Sequence, residues 1–146
     1  MNKYKDWDGK TRLRMYTKLK RDEKANKLPK WLKLTGPCEM CEETHNTMPH
    51  AEEYGPTYKD YQKSIHVLCP RCHGMLHLRY RYPNKWEEYK EHIRKLQLKE
   101  VKPLKPLNNM NQLYHISKSW INNKTFGRNL TPKPTNQWWE KLSSKK

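Results

Sequence analysis

Residues 36–41 read Gly-Pro-Cys-Glu-Met-Cys, and residues 68–77 read Leu-Cys-Pro-Arg-Cys-His-Gly-Met-Leu-His. The two stretches hold all four cysteines of the chain as two Cys-x-x-Cys pairs, Cys38/Cys41 and Cys69/Cys72. Each pair can form a knuckle that aims two thiolates at one point, and two knuckles supply the four ligands of a tetrahedral zinc site. Disulfides and unpaired buried thiols are the alternatives, and the ligand spacing favours structural zinc over both.

The composition leaves little material for a hydrophobic core. Of 146 residues, 34% are hydrophobic and 32% are charged, which suits one domain with extended arms, stapled by a metal. The N-terminus has no apolar segment typical of a secretory signal, and no run approaches the roughly 20 apolar residues of a membrane span. We therefore expect a cytoplasmic protein without a membrane partner. In a reducing compartment, cysteines bind metal in preference to forming disulfides.

The net charge of +16 is concentrated at the two ends of the chain. Residues 1–37 carry 12 Lys or Arg against 4 acidic residues, and residues 101–146 carry 9 against 1. Residues 38–100 are balanced at 10 of each sign. Basic segments attract polyanions by counterion release, and these segments interleave aromatic residues with the charge. This favours nucleic acid, with DNA preferred, over a solvated lysine-rich surface, a membrane surface or an acidic protein.

Three segments follow from this distribution. They are a basic N-terminal arm with a helix (1–35), a zinc-knuckle domain with a packing helix (36–100) and a basic, tryptophan-containing C-terminal arm (101–146). The candidate nucleic-acid contacts are Arg12, Arg14, Lys18, Arg79, Arg81, Arg128, Trp138 and Trp139. Adjacent tryptophans in a basic tail are typical of base stacking or of an anchor on a partner, so we expect an arm that orders on binding.

The N-terminal arm is expected to contain one helix. Residues 1–8 resemble a loose lead-in, and Asp8 or Thr11 can cap a helix over about 10–26. The apolar positions of this helix fall three apart at Leu13, Tyr16 and Leu19, with Met15 beside them. Trp31 is expected to anchor the core.

Further along, the pattern predicts knuckle, strand, loop, strand, knuckle and helix. The expected ranges are a strand ending at His50, a long ordered loop over 51–62, a strand over 64–68 and a helix from Cys72. A packing helix over 83–100 follows, because apolar residues recur there at three and four: Trp86, Tyr89, Ile93 and Leu96. A stiff Pro-containing linker over 102–106 and a short helix around 110–120 complete the expectation.

A histidine ending a strand, a loop, a second strand and Leu-Cys-x-x-Cys-His opening a helix resemble the zinc-knuckle branch of the HNH nucleases, over about residues 36–80. The resemblance implies an α+β fold with a small zinc-stapled ββα-metal core, flanking helices and extended basic arms. In that family the first histidine is the general base for the attacking water, and a divalent metal stabilises the developing charge. His50 matches the base, and His73 matches the histidine that binds the metal.

Two positions depart from the family pattern. Pro49 precedes His50 where the family commonly has a metal ligand, and Ser64 stands where the family usually has an asparagine that orients the base. A serine can form a single hydrogen bond in that role. The substitute metal ligands near the matched positions are His77, Glu52 and Glu53. The resemblance then implies a structural Zn²⁺ and a catalytic Mg²⁺ or Mn²⁺.

The function favoured by these features is a metal-dependent, HNH-like endonuclease that binds and cleaves DNA. The alternative is a non-catalytic, zinc-containing nucleic-acid-binding or structural assembly protein on the same scaffold, which Pro49 and Ser64 favour. A third reading is a component of a larger nucleoprotein or virion assembly, whose basic arms thread over neighbouring molecules.

Overall fold

The computed structural model of the chain describes residues 4–110, 112 and 137–142. The elements are α1 (Gly9–Lys24), β1 (Met48–Ala51), α2 (Tyr58–Lys63), β2 (Ile65–Leu68), α3 (Pro70–Leu78), α4 (Pro83–Gln97) and a 3-10 helix (Trp138–Lys141). The strands β1 and β2 pair in a two-stranded antiparallel sheet. This mixture of helices with a small sheet confirms the expected α+β class.

The described residues divide into two compact units that interleave along the chain. Those in 1–36 and 49–67 form the first unit, and those in 37–48 and 68–146 form the second. Both knuckles therefore lie in the second unit, whereas His50 lies in the first. The expected segments 1–35, 36–100 and 101–146 stay a prediction.

Local capping sets the ends of α1. The Asp8 side chain accepts a hydrogen bond from the Thr11 backbone N–H at 2.7 Å, so Asp8 is the N-cap. The helix ends at Lys24, two residues before Asn26, which has a positive φ of 56°. Asparagine tolerates this left-handed conformation better than most residues, and it commonly terminates helices. The expected helix over about 10–26 is thus confirmed.

The buried face of α1 differs from the expected one. Met15 and Leu19 are buried, whereas Leu13 and Tyr16 are 54% and 45% exposed. The expected stripe was therefore wrong for Leu13 and Tyr16, because spacing identifies a face but not which face the rest of the unit covers. The core residues of the first unit are Met15, Leu19, Leu34, Ala51, Tyr61 and Ile65.

A short helix, α2, occupies the end of the segment expected to be a loop. Thr57 and Asp60 form a capping box, in which the Thr57 hydroxyl accepts from the Asp60 N–H at 3.1 Å. The Asp60 carboxylate accepts in turn from the Thr57 N–H at 3.2 Å. The loop prediction for 51–62 was wrong from Tyr58 onward. The Gly55-Pro56 pair indicates a loop, but the capping residues that follow it begin a helix.

Residues 4–8 are ordered, so the expected loose lead-in was wrong for them. Tyr4 and Trp7 exchange two backbone hydrogen bonds at 3.0 and 3.1 Å, and Tyr4 is buried. The Trp7 ring lies against Gly55, where a Cβ would approach the ring to 2.8 Å. Trp7 Nε1 also donates to Glu53 at 3.1 Å. These partners are far along the chain, and local composition does not predict them.

Trp31 is 54% exposed, so its expected role as a core anchor was wrong. Its neighbours Leu32 and Leu34 pack on the core of the first unit. Trp31 lies in a turn, in which the Leu32 N–H donates to the Pro29 carbonyl at 3.1 Å, and its side chain stays outside while Leu32 and Leu34 turn inward.

A proline stands at the start of both α3 and α4 in the second unit. Pro70 and Pro83 each occupy the first turn of a helix, where a missing N–H costs nothing. The apolar stripe expected for α4 is confirmed, since Trp86, Tyr89 and Ile93 are at most 1% exposed.

The 3-10 helix Trp138–Lys141 is an ordered part of the second unit. Trp139 is fully buried, and the Glu140 carboxylate accepts a hydrogen bond from Arg94 Nε at 2.7 Å. Lys90 Nζ also donates to the Glu140 carbonyl at 3.3 Å. The expected stacking role of Trp139 does not fit this burial, because the side chain has no exposed face to offer to a base. Trp138 is only partly buried.

Two expectations fall on the undescribed part of the chain. The helix expected around 110–120 lies outside the described residues apart from positions 110 and 112, and Arg128 lies outside them entirely. Among the described helices, none combines the length and apolar character required to cross a membrane.

Candidate metal centre

The first knuckle is a tight turn closed by backbone hydrogen bonds. The Cys38 N–H donates to the Glu43 carbonyl at 2.8 Å, and the Glu42 N–H donates to the Cys38 carbonyl at 2.9 Å. Glu42 takes a left-handed φ of 67° at the turn. The turn brings the side chains of Cys38 and Cys41 into one cluster.

The second knuckle is built from the start of α3. Cys69 is the N-cap of the helix, and its sulfur accepts a hydrogen bond from the Cys72 N–H at 3.4 Å. Pro70 at the first helical position directs the chain into the helix directly after Cys69. Cys72 therefore lies one turn into α3 and is fully buried.

The four cysteine sulfurs form a cluster that fits a tetrahedral ion. All four are reduced, and their Sγ atoms lie within 4.8 Å of one another. Cys41 Sγ and Cys69 Sγ are 3.5 Å apart. Four thiolates bound to zinc at about 2.3 Å would be separated by about 3.8 Å. The cluster could therefore hold a metal ion such as zinc, as the spacing predicted.

The four thiols of the cluster differ in how readily they ionise. Hydrogen bonds from the neighbouring thiols hold the pKa of Cys38 well below its usual range, and the pKa of Cys69 is lowered as well. Burial and hydrogen bonds within the cluster raise the pKa of Cys72, and the pKa of Cys41 is also raised. Two thiolates are thus stabilised at the expense of the other two. A bound dication would stabilise all four thiolates together, which is the state that binds zinc.

Tyr89, on α4, extends the cluster by one hydrogen bond. Its hydroxyl oxygen lies 3.0 Å from Cys72 Sγ. Burial, and then the charge of nearby sulfurs, raise the pKa of Tyr89, so the phenol keeps its proton. When Cys72 is a thiolate, Tyr89 therefore donates a hydrogen bond to it. Such donors outside the ligand shell orient metal ligands and strengthen metal binding.

The expected linker packs beside the cluster. A cavity is lined by Cys41 and Cys69 together with residues 103–107. Arg71 donates a hydrogen bond to the Lys105 carbonyl at 2.6 Å, and Leu107 is buried. This segment therefore restricts solvent access to the sulfur cluster, in addition to connecting elements.

His73 and His77 form a close pair on α3. Their Nε2 atoms are 3.0 Å apart, and His73 is buried. Residues four apart share one face of a helix, which explains the approach. Two imidazole nitrogens at this separation can share a proton or bind one metal ion.

His50, in the first unit, is paired with a buried carboxylate. His50 Nε2 lies 2.7 Å from Glu52 Oε2, and the Tyr4 hydroxyl donates to the same oxygen at 2.8 Å. His50 and Glu52 are 3% and 8% exposed. The Tyr4 ring meets the His50 ring edge to face at 5.6 Å. Lys5 Nζ, 3.7 Å from Glu52 Oε1, contributes a positive charge.

Ser64 is engaged with the backbone at the end of α2. Its hydroxyl accepts from the Glu53 N–H at 3.0 Å. It also lies within donating distance of two carbonyls, those of Glu53 at 2.9 Å and Tyr61 at 2.8 Å. Its expected role as the residue that orients His50 stays a prediction.

The candidate phosphate contacts differ in exposure. Arg14, Lys18 and Arg81 are exposed, whereas Arg12 is partly buried beside the rings of aromatic residues. Arg79 is 1% exposed and donates to the Leu76 carbonyl at 2.8 Å. The guanidinium caps the end of α3, a position that does not favour the expected phosphate contact, which stays a prediction.

Sequence reasoning missed the pairing of Glu52 with His50 and the hydrogen bond from Tyr89. Glu52 carried a usable signal, because it directly follows β1 and stands two residues after His50, the spacing that places side chains on one face of an extended strand. Tyr89 had no such signal, because its spacing fits the apolar stripe of α4 and does not indicate a hydrogen bond to a cysteine. No protein-family model matches the chain, and neither a curated protein nor a solved structure is detectably similar to it.

Proposed function

We propose that the chain is a metal-dependent, HNH-like endonuclease that binds DNA and cleaves its phosphodiesters, with a structural zinc at the four cysteines. The observation that carries the proposal is the buried pair of His50 and Glu52. A histidine buried beside a carboxylate is held in one orientation, and its protonated form is stabilised, which suits a general base.

The order of elements supports the same reading. His50 lies on β1, and the Cys69/Cys72 knuckle with His73 opens α3 directly after β2. This order of strand, strand and helix resembles that of the HNH nucleases, and α2 lies between the two strands. The helix adds His77, whose Nε2 approaches that of His73 to 3.0 Å.

Each residue has a role in the proposed reaction. His50 takes the proton of the attacking water, and Glu52 keeps the imidazole in place. The candidate ligands of a divalent ion on α3 are His73 and His77, whose Nε2 atoms lie 3.0 Å apart. Such an ion, when bound, supplies charge stabilisation to the phosphate that is being attacked. Imidazole ligands favour Mn²⁺ or a softer ion over Mg²⁺.

The proposal is tested by incubating the zinc-loaded protein with plasmid DNA in Mg²⁺ or Mn²⁺. We expect cleavage by the wild type and at least about a hundredfold loss in His50→Ala, because a general base commonly contributes that much. His45→Ala is the matched control, since His45 is exposed in the first knuckle and has no proposed role. His73→Ala should lose cleavage and also bind Mn²⁺ more weakly in a titration.

The competing function is a non-catalytic nucleic-acid-binding protein on the same scaffold. Pro49 favours it, because proline offers no ligand at the position before His50. If the wild type cleaves neither single- nor double-stranded substrates in Mg²⁺, Mn²⁺, Ni²⁺ or Zn²⁺, the endonuclease proposal fails. Retained DNA binding in that experiment would support the non-catalytic alternative.

A further inference from the structure

The outward face of α1 carries a row of cations. Met15 and Leu19 turn inward. At about 100° per residue, the opposite face passes through positions 10, 14, 17, 21 and 24, which are four and three residues apart in alternation. Four of these five positions hold exposed Lys or Arg, here named the α1 cation row: Lys10, Arg14, Arg21 and Lys24.

The row is not neutralised within the first unit. In the part of the chain that the structure describes, none of the four side chains has an ion pair or a side-chain hydrogen bond. The two acidic residues of α1 are engaged elsewhere, Asp22 with the Tyr58 hydroxyl at 2.9 Å and Glu23 with Lys20 at 2.7 Å. Like charges four residues apart destabilise a helix slightly, so stability does not explain the row.

The dimensions of the row suit a phosphate backbone. From position 10 to position 24 the helix rises about 21 Å at 1.5 Å per residue. Each strand of a DNA duplex carries one phosphate about every 3.4 Å along the duplex axis, so the row is long enough to reach several phosphates. A helix that lies on a membrane would instead present a broad apolar face beside its cations. Here the exposed large apolar residues of α1 are Leu13 and Tyr16.

We propose that the α1 cation row is the surface on which duplex DNA docks, with its cations against the phosphates of one strand. The choice of DNA as the partner rests on the proposed function. The inference adds the surface of the protein that contacts this DNA. Two cations expected from the sequence lie outside the row. Arg12 faces the Tyr4 and Tyr54 rings, and Lys18 lies 4.3 Å from the centre of the Tyr58 ring.

The test compares two charge-matched variants of the zinc-loaded, full-length protein. The row variant combines Lys10→Gln, Arg14→Gln and Arg21→Gln. The control variant removes three equally exposed lysines outside α1: Lys59→Gln, Lys63→Gln and Lys99→Gln. Binding to a short fluorescent DNA duplex is measured by anisotropy over a range of salt concentrations without divalent ions, so that cleavage plays no part. Circular dichroism checks that both variants keep the wild-type fold.

We expect the row variant to bind the duplex at least about tenfold more weakly than the control variant. Its plot of log affinity against log salt should flatten by about 0.9 for each lost phosphate contact. Equal losses in both variants would overturn the docking surface and leave the proposed function standing. A wild type that does not bind DNA would overturn both. Binding to phosphatidylserine vesicles is measured as well. If the row variant binds DNA as the wild type does but no longer binds the vesicles, the partner of this surface is a membrane instead of DNA.

Discussion

Single hydrogen bonds set the chemistry at both candidate sites. At the sulfur cluster, the Tyr89 hydroxyl lies 3.0 Å from Cys72 Sγ, inside a fully buried environment. In the first unit, Glu52 receives hydrogen bonds from both His50 and Tyr4. In each case a hydrogen bond that was not expected from the sequence helps to orient the cysteine ligand or the histidine base.

Removing the Tyr89 hydroxyl should weaken zinc binding. Tyr89→Phe keeps the ring in the α4 stripe and deletes only the hydrogen bond to the Cys72 thiolate. We expect about a tenfold loss of zinc affinity, the lower end of the range for such outer contacts. Competition with a chromophoric chelator measures it.

Tyr82→Phe is the matched control, because Tyr82 is at the N-cap of α4 and makes no side-chain cap hydrogen bond. Equal zinc affinity in Tyr89→Phe and the wild type would show that the contact does not support the metal.

Most elements have the expected types, namely α1, α3, α4 and the two strands, but the buried face of α1 differs from the expected one. α1 buries Met15 and Leu19, and the 3-10 helix buries Trp139. A helix pattern specifies which residues share a face, and burial depends on what that face meets. Two tryptophans show the consequence most clearly, since Trp31 is half exposed and Trp139 is not exposed at all.

Trp139→Ala should destabilise the protein far more than Trp31→Ala. Deleting a fully buried tryptophan side chain leaves a cavity and typically costs about 3–5 kcal/mol. Deleting the exposed Trp31 should cost less than about 1 kcal/mol. Urea unfolding followed by circular dichroism gives both values. Similar losses in the two variants would contradict the packing of the 3-10 helix.

At the scale of the whole molecule, the composition and the cysteine cluster both indicate that folding depends on a metal. A chain with 32% charged residues has limited apolar surface to bury, and the second unit gathers four thiols at one point. In small domains a structural metal supplies much of the folding free energy.

Zinc removal should therefore unfold the second unit. We expect about one zinc per chain by elemental analysis, the count for one tetrathiolate site. A strong chelator should reduce the helical circular dichroism signal, and added Zn²⁺ but not Mg²⁺ should restore it. Cys72→Ala should behave like the chelated wild type. A helical signal unchanged by the chelator would contradict this dependence.

Local signals predicted the cysteine cluster, the two strands and the approximate ranges of α1, α3 and α4. Two Cys-x-x-Cys pairs, proline at a helix start and apolar residues at three and four all act over a few residues. The α2 helix also has a local signal, the capping residues Thr57 and Asp60. The neighbouring Gly55-Pro56 pair indicated a loop instead.

The partners of the site residues could not be predicted in the same way. Tyr4 reaches Glu52, and Tyr89 reaches Cys72, across long stretches of chain. Arg79 and Trp139 are buried by elements that neither residue's neighbourhood specifies. Local patterns set backbone conformation and ligand spacing, because they depend on nearby residues. Burial and hydrogen-bond pairing between distant segments arise only when the chain has packed, so they required the three-dimensional structure.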